Sequence, residues 1–171
     1  MKKLILYLNI AFTAIVFGQS EFAISENGLT PKFLSLKIDA MPKNELYKKT
    51  WTWIEENEKI YNLSVDNTIE NKVIHLYSIK GNAVNLDKKY FNVKYKISIS
   101  FEKGQYKFEP TEIQLSVNSK YDMGWKDLDL TNGAMYFKKE KVIRKYRSYI
   151  SDMTTLLNEI NIKLSSYLAK E

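Results

Sequence analysis

Asp122, Asp127 and Asp129 cluster around Trp125 in the stretch "NSKYDMGWKDLDLTNGA", residues 118–134. Two carboxyls facing each other across a sugar, with a tryptophan stacked on the ring, are the equipment of a glycosidase. The same acids do not follow a calcium loop, which alternates acids and then places a glycine. The chain has one histidine, His75, inside the β-rich run "KVIHLYSI". A serine nucleophile needs that imidazole beside both a serine and a carboxylate. The nearest serines by pattern, Ser98 and Ser100, belong to a different strand, and no strand–Ser–helix elbow is present. There is no cysteine, which excludes thiol catalysis and thiolate metal sites. Six glycines are scattered along the chain and form no phosphate-cradling loop. The sequence therefore assigns no catalytic, metal or cofactor residue. One enzymatic alternative survives: a hydrolase of envelope glycans or peptides working through the Asp122–Asp129 loop.

A second group of residues suggests binding. "ELYKKTWTWIEEN", Glu45 to Asn57, carries Trp51 and Trp53 one residue apart. At about 100° per residue, Trp53, Leu46, Ile54, Tyr47 and Trp51 share an arc of roughly 160°. The acids and lysines fill the opposite side, so the segment reads as an amphipathic helix. Residues two apart on a helix do not face each other, so the two tryptophans belong to the borders of a buried face and do not form a stacked pair. Pro42 precedes the helix, Asn44 is placed to cap it, and Glu45 suits the dipole of its first turn.

The elements around these groups follow from periodicity. Phe33 to Ile38, "FLSLKI", reads as a short first strand, and the turn formers of residues 19–31 precede it. Lys72 to Ile79 is apolar on both parities, as in a central strand. "GNAVNLDKK" then reads as a loop. From Phe91 to Phe101, aromatic and branched residues alternate with Asn92, Lys94, Lys96, Ser98 and Ser100. One side is apolar and the other wet, the signature of an antiparallel sheet covered on one face. "EKGQ" is a tight hairpin turn into Tyr106 and Phe108. The alternation changes phase after Pro110, which predicts a bulge or an edge position there. Residues 118–134 read as a long polar loop. Lys141 to Leu168 reads as a long helix whose seam is Ile143, Tyr146, Ile150, Met153, Leu157, Ile160, Leu164 and Tyr167. The seam suits packing on the sheet beside the first helix, or pairing with a second copy.

The N-terminus, "MKKLILYLNIAFTAIVFGQS", has two lysines and an apolar run from Leu4 to Phe17. Val16 and Gly18 are small enough for the cleavage pockets of signal peptidase. Residues 1–18 therefore read as a secretory signal peptide. The run falls short of the roughly 20 residues of a spanning helix. With no cysteine to carry lipid, the expected product is a soluble exported chain, periplasmic or extracellular, without membrane insertion. Cleavage leaves residues 19–171, enough for one domain with a full core, built without disulfides. It also leaves 24 basic against 20 acidic residues, a net +4. That excess is too mild to indicate nucleic-acid binding. The sheet aromatics also share the apolar parity, so they are unavailable as base-stacking platforms.

Strand, helix, antiparallel strands and long helix occur in that order, with "NELYKKTWTWIEEN", "KYKISISFEKGQYKFEPTEIQL" and "TTLLNEINIKLSSYL". In this the chain resembles the secreted bacterial family catalogued as domain of unknown function 4468, from about Thr30 to Gln114 and more loosely over the terminal helix. The resemblance implies a fold like that of the TATA-binding protein: a curved antiparallel sheet with two helices on one face. It implies no activity and no catalytic residues.

The expectation is an α+β chain acting as a non-enzymatic binding protein of the cell envelope. Its candidate surface is the wet side of the sheet, with Lys94, Lys96, Ser98 and Trp125, docking an envelope protein, peptide or glycan. Lysines on such a face also suppress sheet-to-sheet aggregation.

Overall fold

A computed structural model describes residues 21–38, 41–117 and 124–170. The expected signal peptide and Asp122 lie outside the described residues.

Among the described residues, six strands form one antiparallel sheet. They are β3 (Leu34–Lys37), β4 (Leu63–Ile69), β5 (Val73–Leu86), β6 (Lys89–Glu102), β7 (Gln105–Val117) and β8 (Lys126–Asp127). Their order is β3-β7-β6-β5-β4, with β8 on β7. A separate hairpin pairs β1 (Ala23–Ser25) with β2 (Gly28–Thr30), and a second pairs β9 (Phe137–Lys138) with β10 (Lys141–Val142). Helices α1 (Lys43–Tyr61) and α2 (Arg147–Leu168) pack on one face of the curved sheet and on each other.

The alternation in β6 sets this arrangement. Val93, Tyr95, Ile97, Ile99 and Phe101 are all buried beneath the helices. The hairpin to β7 turns at Lys103–Gly104, where Gly104 supplies a positive φ. The phase change near Pro110 is a bulge: Lys96 faces Glu112 while Ile97 faces Pro110, leaving Thr111 unmatched. Pro110 also lies between the two stretches of β7 paired with β3 and with β8, where its missing N–H breaks no ladder bond.

The helix seam also falls on the core. Tyr146, Met153, Leu157, Ile160 and Leu164 are buried, and Ile143, Ile150 and Tyr167 pack against them. The seam is thus filled within the chain. Asn158 belongs to the same face and holds the N-terminal segment. It accepts from the Phe22 N–H at 2.7 Å and donates to the Phe22 carbonyl at 3.0 Å.

Several boundaries differ from expectation. Residues 81–86 are not a loop. β5 passes through an irregularity between Lys80 and Val84, after which Val84 is buried and pairs with Phe91. The true turn is Asp87–Lys88, both at positive φ, as a two-residue hairpin demands. α2 begins at Arg147 and not at Lys141, because Val142 pairs with Phe137 and the Ile143 N–H reaches the Tyr136 carbonyl at 2.9 Å. Asn44 lies inside α1, whose N-cap is Pro42 without a side-chain bond. The strand β4 and the hairpin β1–β2 were not anticipated. In the expected loop, β8 forms, and Leu128 and Leu130 pack on the core.

Candidate functional site

The face of the sheet away from the helices is open, and cross-strand register places its residues in rows. Ile79, Lys94, Gln114 and Asp127 form one row; Ser64, Tyr77, Lys96 and Glu112 form the next. Asn67, His75, Ser98 and Glu109 form a third, and Ile69, Val73, Ser100, Lys107 and Ser35 a fourth.

Three of the four residues singled out on this face are engaged with specific neighbours. The Lys94 ammonium sits 5.2 Å from the centre of the Trp125 ring, a cation–π approach that joins strand β6 to the segment before β8. Lys96 pairs with Glu112 at 3.0 Å, and that hydrogen bond raises the ammonium's pKa above its ordinary value. Ser98 lies between His75 and Glu109 but has no side-chain bond to either among the described residues. The sequence had missed the apolar residues between them. Tyr77 and Ile79 are 37% and 39% exposed, beside Trp125 at 38%, and Phe33 lies under the Lys107 ammonium at 4.0 Å. The both-parities pattern of Lys72–Ile79 was the available signal. It reads equally as a strand covered on both sides, and only the sheet's surroundings separate the two cases.

Among the described groups considered for catalysis, Asp127 and Asp129 are engaged in hydrogen bonds, and His75 and Ser98 lack the order of a triad. In the His75–Ser98–Glu109 row the serine stands in the middle, whereas nucleophile activation needs the histidine there. Asp127 accepts from the Gln114 amide at 2.7 Å. Asp129 accepts from the Thr131 hydroxyl at 2.7 Å and the Thr131 N–H at 2.8 Å. These bonds hold its pKa below the ordinary value, with the hydroxyl the larger cause. A general acid at neutral pH needs the opposite shift. Among the described residues no cluster of three acidic or histidine side chains could hold a metal ion.

The tryptophans of α1 divide as the helical arc requires. Trp53 is buried and stacks on Tyr61 at 6.0 Å. Trp51 is half-buried at the border of the face, and its indole N–H donates to Glu55 at 2.7 Å. Its aromatic neighbour is Tyr47, one turn back, at 6.4 Å and 22°.

Comparison with known proteins gives the fold a context. Residues 34–116 match the family described as a domain of unknown function (DUF4468) with TBP-like fold. The chain is similar to the crystal structure of a DUF4468 family protein from Bacteroides ovatus, at 13% identity and a TM-score of 0.63, over 81% of this chain and 85% of that one. It is also similar to a TBP-like protein from Parabacteroides distasonis, at 15% identity and a TM-score of 0.59, over 80% and 90%. No curated protein matches.

Proposed function

Residues 34–116 match the DUF4468 family with TBP-like fold, and from that match we propose that the chain is an exported, non-enzymatic binding protein of the cell envelope. Its docking surface is the open sheet face. One observation carries the reading. Of nine exposed large apolar side chains among the described residues, five (Phe33, Ile69, Tyr77, Ile79 and Trp125) belong to this face. Tyr77 lies between Ser64 and Lys96, and Ile79 lies opposite Lys94. Apolar groups concentrated on one surface and rimmed by charge mark interaction sites. Phe33 and Trp125 lie under lysine ammoniums, so their rings are already oriented. The partner that suits this mixture is a protein or peptide of the envelope. The hydrolase alternative is weakened by the hydrogen bonds that occupy Asp127 and Asp129.

The test places a photo-crosslinking residue at Tyr77 or Ile79 in cells, with Lys163 on α2 as the control site. The expected result is one discrete adduct from the sheet positions, lost when Trp125 and Phe33 become alanine. Mass spectrometry of the exported protein should give an N-terminus near Gln19. Equal crosslinking from Lys163, or a chain retained whole in the cytoplasm, removes the proposal.

A further inference from the structure

On the opposite side of the edge strand β4 lies a groove that the docking surface does not use. It is lined by Tyr47, Lys48, Trp51 and Thr52 of α1, by Thr68 of β4 and by Glu70 just after it, and is an open depression of about 620 Å³. That is within the size range of small-ligand sites. We propose that this groove is a second binding site, for a neutral saccharide.

The two rings are held in place before any ligand arrives. Tyr47 rests edge-on against buried Phe101 at 5.6 Å, and Glu55 fixes the Trp51 indole N–H. Their planes differ by only 22°, and both line the same groove. Sugar rings carry a C–H face that packs on aromatic π-surfaces and a rim of hydroxyls that need donors and acceptors. The groove supplies both. Lys48 and Glu70 take part in no ion pair among the described residues. They contribute one charge of each sign, so the lining favours neither an anion nor a cation. The Thr68 hydroxyl is free of side-chain bonds on the described residues and completes the rim. A peptide adding as a strand to β4 is less well served. The β4 ladder is interrupted between Val65 and Asn67, and such an irregularity breaks the repeat that strand addition requires.

The experiment follows the Trp51 indole N–H by NMR while chitotetraose, cellotetraose and α-1,6-mannotetraose are each added to about 10 mM, enough to saturate a site with a Kd near ~1 mM. The expected result is a saturating shift of the Trp51 signal with at least one saccharide. The paired substitution Thr68→Ala and Glu70→Gln, at exposed positions, should weaken binding about tenfold with Tm unchanged. With the Thr68 and Glu70 backbone amides as reporters, the Trp51→Phe variant, which keeps an aromatic ring, should weaken binding less than Trp51→Ala. No shift with any of the three saccharides overturns the proposal. So does a shift that survives the paired substitution, or a shift of β4 amides by a strand-forming peptide with Trp51 unmoved. Loss of the open-face crosslink leaves this result unaffected, so the two sites are tested separately.

Discussion

The two faces of the central sheet are built from the same strands and behave differently. Toward the helices, β6 presents Val93, Tyr95, Ile97, Ile99 and Phe101, all buried. On the other side the same strand presents Lys94, Lys96, Ser98 and Ser100, all partly accessible, between the exposed Tyr77 and Ile79 of β5 and the acids of β7. Folding uses up the first set and leaves the second available. Stability therefore resides on the covered face, and recognition is free to vary on the open one.

The largest expected effect tests the covered face. Trp53→Ala removes a buried ring stacked on Tyr61 and should cost about 3–5 kcal/mol in urea unfolding. Tyr77→Ser on the open face should stay within about 1 kcal/mol. Comparable losses at both positions would erase the distinction between the faces. Next comes Asn158→Ala, which leaves the Phe22 N–H and carbonyl without partners and should cost about 2–4 kcal/mol. A small loss there would mean that the N-terminal segment is not secured on α2.

The third effect is alkaline. Burial raises the Tyr95 hydroxyl to about 12, and it raises Tyr106 and Tyr149 as well. The folded state then holds these protons where the unfolded chain releases them. Their contribution is complete below the unfolded value near 10 and is lost as pH climbs toward the folded values. Denaturant midpoints should fall steeply between about pH 10 and 12, and Tyr95→Phe should soften the slope. A flat profile would place these rings in water. The smallest effect belongs to the open face. Glu112→Gln should bring the Lys96 ammonium's pKa down toward its ordinary value, read from its Cε resonance, with Tm nearly unchanged.

The candidate site was legible only in pieces. Lys94 and Trp125 belong to one expected surface although they stand 31 positions apart; the cation–π approach between them is visible only in the fold. The register of β5 turned its ambiguous apolar run into one buried row and one exposed row. The hairpin β1–β2 escaped notice because its three-residue strands carry too few side chains to show a period. It is fixed by neighbours distant in sequence: the Leu29 N–H donates to Leu130 at 2.8 Å, and a methyl at Gly28 would strike that same carbonyl.

The sequence by itself determined what depends on one segment at a time: the two-faced β6, the bulge at Pro110, the amphipathic arc of α1 and the seam of α2. A side chain's direction along a strand or helix repeats with the local backbone, so nearest neighbours in the chain suffice to read it. Only the tertiary structure decided which strands lie side by side, that β4 closes one edge, and that Thr68 and Glu70 come to face Tyr47 and Trp51. Those outcomes depend on how separate segments pack, and that information is shared among all of them.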